Sequence, residues 1–373
     1  MDIFEELHIK RIINAAGTYT SLGGSKMSEK TISDMREISS SFIQLGELQK
    51  KINIELARLT CNEGAYVCTG AAAGIYLSVA AAVAKKRKKK LYYMTNEEIA
   101  NCEVLIFKSH RNPYDLSVKQ LGVKTVEIGF ANTMLPSTEE DIRNAINENT
   151  AAVYYLASGW ASVGAISLER IYSVTKEFDI PIIVDAAAQL PPVENLWKFT
   201  ERGAAVTIFS GGKDIKGPQS SGLIVGRKEM LDQINTIGFP NYGIGRMLKV
   251  GREEMVGLYS AIKQYVTMDH QKRYDDCETQ IQQLKNELNN SKIFRVDRTY
   301  PNEAGQPIAR AIVSFTEKTE MGEKLHEFLM QGDNPIYTKT EGLNGVFVNP
   351  MSLNQDEISI IAQKLKEFER LYA

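Results

Sequence analysis

Three short stretches carry residues whose types and spacing suit chemistry. Cys68-Thr69-Gly70-Ala71-Ala72-Ala73-Gly74 lies between a β-rich run and an alanine-rich helical run. Small residues at a helix N-terminus let free backbone N–H groups approach an anion, and the helix dipole adds to the attraction. The stretch reads as a phosphate cradle, or as a tight strand-to-helix turn selected for packing. Asp185 closes the apolar run Pro181-Ile182-Ile183-Val184. A carboxylate at the carboxyl end of a buried parallel strand stands where open α/β sheets bind ligands. Burying it without a partner is costly. The position equally suits a cap for the following Ala186–Leu190 segment. Phe209-Ser210-Gly211-Gly212-Lys213 places a lysine among glycines. Desolvated, such a lysine loses proton affinity and becomes a nucleophilic amine; in a solvated turn it is an ordinary surface charge.

Together the three are more specific than singly. Pyridoxal phosphate needs a lysine for a Schiff base, an acid for the pyridinium nitrogen and a phosphate site. An acid that keeps the ring nitrogen protonated lets the ring accept electrons from a substrate carbanion. The chain order of phosphate turn, Asp185 and Lys213 is the one expected in the large domain of a fold-type I pyridoxal phosphate enzyme.

The elements that must position these residues alternate. Strands are expected at Ala65–Thr69, Val104–Lys108, Lys124–Ile128, Ala152–Leu156, Ile182–Asp185, Val206–Ser210 and Gly222–Val225. Helical patterns lie between them at Ala72–Lys86, Asn112–Leu121, Thr138–Ile146 and Leu168–Phe178. Continuous apolar strands alternating with helices imply βαβ units around a mostly parallel seven-stranded sheet. The short loop holding Lys213 admits one antiparallel strand. A long helical pattern over Glu253–Asn289 follows, then strands at Ala311–Phe315 and Gly345–Val348 and a closing helix at Asp356–Tyr372. The expected organisation is an N-terminal arm (1–40), a large cofactor-binding domain (41–240) and a smaller C-terminal α+β domain (241–373).

Composition narrows the class. Of 373 residues, 43% are apolar and 24% charged, enough apolar residues for a substantial core. Lys and Arg number 44 against 46 Asp and Glu, a net charge of −2, which is no electrostatic footprint for nucleic acid. The basic run Lys85-Lys86-Arg87-Lys88-Lys89-Lys90 ends the alanine-rich helix, where cations suit the dipole, and reads as a solvated helix terminus. Cys61, Cys68, Cys102 and Cys277 form no CxxC pair, so no metal site and no disulfide scaffold is expected, and reduced thiols point to a cytoplasmic protein. MDIFEELHIKR has no apolar signal core, and Gly70–Ala84 is too short to span a bilayer.

Ile13-Asn14-Ala15-Ala16-Gly17-Thr18, Val184-Asp185-Ala186-Ala187-Ala188-Gln189-Leu190-Pro191-Pro192 and Ser210-Gly211-Gly212-Lys213 with Gly217-Pro218-Gln219-Ser220-Ser221-Gly222 resemble the selenocysteine synthase-like family of pyridoxal phosphate enzymes. Within it the likeness is strongest to the D-glucosaminate-6-phosphate ammonia-lyase branch. The resemblance implies that Lys213 forms the Schiff base and Asp185 pairs with the pyridinium nitrogen. It implies that Gly70, Ala71 and Ala72 hold the phosphate, with Ser210 reaching it. Gln189 joins the cofactor set, and His110 lies over the ring or touches substrate. Arg111, Arg246, Lys249 and Lys339 are candidates for substrate anions. Lys339 stands where family members tend to carry arginine, and lysine cannot form arginine's bidentate fork. Asp214, directly after Lys213, would tune that amine's pKa upward. Selenocysteine synthases carry a further domain that grips transfer RNA, which this chain does not match.

The implied activity is that of an ammonia-lyase on an amino acid or amino-sugar acid, by Cα deprotonation and β-elimination. Lys213 is the base. Racemisation, transamination and selenocysteine synthase-like β-replacement are the alternatives on the same scaffold. The implied partners are a small-molecule substrate and further copies of the chain in a homodimer or higher homo-oligomer, with neither nucleic acid nor membrane.

Overall fold

The computed structural model describes residues 2–161 and 163–372. The chain forms two compact units. The larger is Ser25–Met268; the other joins the residues up to Gly24 with the chain from Asp269 onward.

The larger unit is built on a seven-stranded sheet. From edge to edge its strands are Gly64–Cys68, Gly222–Gly226, Val206–Ser210, Ile182–Asp185, Thr150–Leu156, Glu103–Phe107 and Lys124–Ile128. Gly222–Gly226 runs antiparallel to both its neighbours, and the other pairings are parallel. Six strands therefore deliver their carboxyl ends to one edge of the sheet. The inner strands are mostly apolar because both faces are covered: Ile182, Ile183, Val184, Val206 and Ile208 are all buried.

The helix Gly70–Arg87 covers one face. It is buried all along Ala73–Ala84, which is why its sequence is apolar all round rather than striped. Gly74 lets it settle on the sheet, since a Cβ there would lie 2.8 Å from Ile208 Cγ2. Its basic end is partly paired. Lys85 bridges Asp179 at 2.8 Å and Glu229 at 3.4 Å, and Lys89 bridges Glu98 at 2.8 Å.

The unit bounds differ from the expected 1–40, 41–240 and 241–373. Residues after Gly24 join the larger unit because Ser28 caps the helix Glu29–Ser39, which packs on Arg252–Thr267. Ser260 Oγ donates to Asp34 at 2.7 Å, and Ser28 Oγ donates to Gln264 at 2.8 Å. The single helix expected over Glu253–Asn289 is two, Arg252–Thr267 and His270–Glu287. Asp269 starts the second by accepting the Lys272 N–H, and the division between units falls beside it. The helix expected over Asn112–Leu121 shrinks to a turn at Pro113–Asp115 and a short helix at Leu116–Lys119.

The smaller unit holds a four-stranded antiparallel sheet from Phe294–Thr299, Arg310–Phe315, Gly345–Val348 and Lys339–Thr340. His270–Glu287, Gly322–Leu329 and Gln355–Tyr372 pack against it around Phe294, Phe315 and Phe368. Ile13–Asn14 joins this unit as a parallel partner of Ile336–Tyr337.

Candidate active site

The carboxyl edge of the large sheet gathers the three stretches. Cys68 and Ser210 both lie opposite Gly222 in register, and Asp185 lies opposite Ile208, two residues before Ser210. Lys213 follows three residues after Ser210. Thus the anion cradle, the serine, the carboxylate and the lysine all issue from adjacent strand ends, where open α/β sheets bind ligands.

Gly70 opens the cradle. Its φ of +82 is left-handed, and the space a Cβ would take is empty. Thr69 precedes the helix without capping it; its hydroxyl donates to the Ser220 carbonyl at 3.3 Å. The first N–H groups of Gly70–Arg87 therefore receive no cap from the residue that usually supplies one. Gly222 allows the close approach of strand and helix, because a Cβ there would lie 2.6 Å from the Gly70 carbonyl carbon. Cys68 is inert beside the cradle, burial pushing its thiol up to about 12.

Lys213 sits on a loop folded back on itself. Gly211 N–H donates to Ser221 O at 2.9 Å, and Gly217 N–H donates to Gly211 O at 2.8 Å. A Cβ at Gly211 would lie 2.1 Å from Ser221 Oγ, and one at Gly212 would lie 2.4 Å from Gln219 Cα. Close packing, not flexibility, explains both glycines: against the Ser221 side chain at Gly211 and against the Gln219 backbone at Gly212. Burial lowers the Lys213 pKa, and the charge of Asp185 opposes that shift. The expected upward influence of Asp214 is not among these causes. Asp214 is buried and accepts the Tyr265 hydroxyl at 2.8 Å.

Asp185 is 3% exposed. Its Oδ1 accepts the Ala187 N–H at 3.1 Å, and its Oδ2 accepts the Tyr154 hydroxyl at 2.9 Å. Residues 186–189 form a turn, so the carboxylate caps no helix. Burial raises its pKa against the lowering effects of these two donors and of Lys213. A buried carboxylate with two neutral donors has room for a cationic partner, which a protonated ring nitrogen supplies. This donor set and the empty left-handed cradle fit pyridoxal phosphate.

The remaining candidates fall in different places. Gln189 lies four residues past Asp185, its backbone N–H donating to Ala186 O at 3.0 Å. His110 is 1% exposed, its ring edge-on to Phe107 at 5.5 Å and to Tyr155 at 4.7 Å between centroids. Burial pushes its imidazole down to about 4. Arg111, expected to receive a substrate anion, is instead engaged by Asp115 and Glu127. Its charge is neutralised within its own neighbourhood, and Asp115 is buried. Arg246 and Lys249 lie exposed on the segment 238–250, with Arg246 5.1 Å above the Phe239 ring. Lys339 belongs to the smaller unit, where its ammonium lies 4.6 Å from the Tyr19 ring centre. Tyr154 and Asn112 carry no catalytic-motif signature, and sequence reading missed them. Among the described residues no helix is long and apolar enough to cross a membrane, and no group of three or more His, Cys, Asp or Glu could hold a metal ion.

Comparison with known proteins bears on the family and the fold. The family model described as SelA: L-seryl-tRNA selenium transferase matches residues 12–322. A D-glucosaminate-6-phosphate ammonia lyase from Salmonella typhimurium is 30% identical over 375 residues, covering 98% of this chain and 97% of that protein. A solved D-glucosaminate-6-phosphate ammonia-lyase superposes with a TM-score of 0.82 at 28% identity, covering 99% of this chain and 98% of the other. The likeness to PLP-bound serine palmitoyltransferase from S. paucimobilis has a TM-score of 0.61 at 13% identity, covers 98% and 89% of the two chains and speaks to fold alone. The fold is that of a fold-type I pyridoxal phosphate enzyme. On a family match that spans most of its length, the chain belongs to the SelA, L-seryl-tRNA selenium transferase, family.

Proposed function

We infer that the protein is a pyridoxal phosphate-dependent ammonia-lyase that acts on an amino-sugar acid resembling D-glucosaminate 6-phosphate. The observation that carries this reading is the full-length likeness to the ammonia lyase, at 30% identity. Selenium transfer is supported by the family description and by relatives of lower identity or partial coverage.

In this reading Gly70, Ala71 and Ala72 hold the cofactor phosphate on backbone N–H groups, with Ser210 alongside. Asp185 would keep the ring nitrogen protonated, and Gln189 would complete the residues that hold the cofactor. The cofactor, when bound, supplies the electron sink that stabilises negative charge at the substrate Cα. Lys213 Nζ takes the Cα proton. Its lowered pKa makes the free amine available nearer neutral pH than in an ordinary lysine. His110 stays neutral at that pH, which suits contact and orientation rather than proton transfer. Arg246, Lys249 and Lys339 remain candidate cations for the substrate's carboxylate and phosphate. Loss of the β-hydroxyl as water and hydrolytic release of nitrogen as ammonia leave a 2-keto-3-deoxy acid. Further copies of the chain are the expected partners, and four cysteines with no CxxC pair among them suit a cytoplasmic setting.

The test is a screen of amino-sugar acids and β-hydroxy amino acids, scored by 2-keto acid and ammonia together. Equal yields without an added amino acceptor are expected. Keto acid formed only with an acceptor present would mean transamination instead.

A further inference from the structure

We propose that Tyr154 and Asn112 form a buried donor relay that fixes the Asp185 carboxylate as the acceptor for the cofactor ring nitrogen. The proposal rests on the pyridoxal phosphate reading above.

Tyr154 lies on the strand beside Ile182–Asp185, opposite Ile183 in register. Residues two apart on a strand share a face, so Ile183 and Asp185 point the same way as Tyr154. The Tyr154 ring is fully buried, and its hydroxyl proton goes to Asp185 Oδ2 at 2.9 Å. The same hydroxyl oxygen accepts from Asn112 Nδ2 at 3.3 Å. Asn112 cannot turn round without loss. Its Oδ1 accepts the Tyr114 N–H at 2.8 Å, and its Nδ2 also donates to the His110 carbonyl at 2.8 Å. The amide orientation is thereby set by two backbone groups, and the relay has one direction, from Asn112 through Tyr154 to Asp185.

Every member of this relay except Asp185 is neutral. Burial and the neighbouring Asp185 charge raise the Tyr154 pKa far above that of a free phenol, so the hydroxyl remains a donor throughout the working range. Donors aimed at a carboxylate favour its charged form and lower its pKa. Burial acts on Asp185 in the opposite sense. Phenylalanine would fill the same space. What the hydroxyl adds is support for the charge that holds the ring nitrogen protonated, which makes Tyr154 and Asn112 positioning residues.

The test titrates pyridoxal phosphate into cofactor-free protein across pH and follows binding by visible absorbance. Tyr154→Phe should weaken binding about 10- to 100-fold near neutrality, the size of one hydrogen bond to a charged group. The acid limb of its binding profile should move to higher pH. Asn112→Ala should shift the profile in the same direction by less, and the double variant should match Tyr154→Phe, because Asn112 acts through Tyr154. Asp185→Ala is the reference. If Asp185→Ala weakens binding while Tyr154→Phe leaves affinity and pH profile unchanged, the relay is overturned. Weaker binding with an unmoved profile would reduce Tyr154 to packing and overturn it equally. Normal binding by Asp185→Ala would overturn the cofactor reading instead. Should Tyr154→Phe not fold, the shift in Asn112→Ala decides the matter.

Discussion

Gly222 stands so near Gly70 that a Cβ at position 222 would lie 2.6 Å from the Gly70 carbonyl carbon and 3.0 Å from Ala71 N. The antiparallel strand Gly222–Gly226 of the large sheet thus begins against the turn that opens the anion cradle. Gly222→Ala should cost about 1–3 kcal/mol by overpacking, and it should weaken phosphate-dependent cofactor binding by displacing Gly70. Gly46 is the control: it is helical and has nothing within 4 Å of its Cβ position. Gly46→Ala should stabilise by roughly 0.5–1 kcal/mol and leave cofactor binding alone. Denaturant melts and cofactor titrations on both variants check this.

Lys213 should be the one lysine fixed to the cofactor by borohydride. Peptide mapping of the reduced protein tests it, and a label on another lysine refutes the assignment. Lys213→Ala should lower turnover by at least about a thousandfold, since the base is gone. Removing Asp185 should also move the Lys213 amine to a still lower pKa, because its charge is what opposes the effect of burial.

His110 predicts an acid sensitivity. Burial between Phe107 and Tyr155 brings its imidazole from 6.5 down to about 4. The folded value is depressed, so the unfolded chain takes up the proton first. The contribution is whole above the unfolded pKa and is lost as pH falls through the folded one. The loss approaches about 3 kcal/mol at most. Melts of wild type and His110→Phe at about pH 7 and about pH 4 should differ in their acid loss. Equal losses would contradict the burial argument.

Arg111 should matter to the fold more than to substrate. Arg111→Ala leaves buried Asp115 without its cation. It should cost about 1–3 kcal/mol, the guanidinium being one-third exposed and partly screened. Arg246→Ala and Lys249→Ala should leave the melting temperature unchanged and raise KM if either holds a substrate anion. A raised KM with normal stability in Arg111→Ala would restore it to the substrate set.

Local chemistry made much of the fold legible. Ile182–Asp185 and Val206–Ser210 are short, apolar and bounded by turns, and the structure gives them the expected limits. The break at Met268–Asp269 was hidden because apolar spacing continues through it; the signal was one aspartate, a helix cap that also occurs within helices. The richness of residues 1–40 in Gly and Ser suggests an arm and masks the helix Glu29–Ser39, although Ser28 is its cap. At the site, Lys213, Asp185 and Gly70 were legible since glycines and strand ends mark them. Tyr154 was not, because a tyrosine within an apolar strand looks like core until the residue two positions past its cross-strand partner is known. The engagement of Arg111 was equally invisible, since Glu127 reaches it from a neighbouring strand.

The pairing of Ile13–Asn14 with Ile336–Tyr337 has a consequence for synthesis. The larger unit is one uninterrupted run of chain, Ser25–Met268. As it leaves the ribosome, all its strands are available before the smaller unit has begun to emerge a second time. Ile13 and Ala15, made before the larger unit, wait with their apolar side chains uncovered for partners made after it. Domains fold as units during synthesis, and exposed apolar surface invites aggregation. The larger unit is therefore synthesised whole before the smaller one is complete, and the Ile13–Asn14 strand is the segment most in need of protection in the interval.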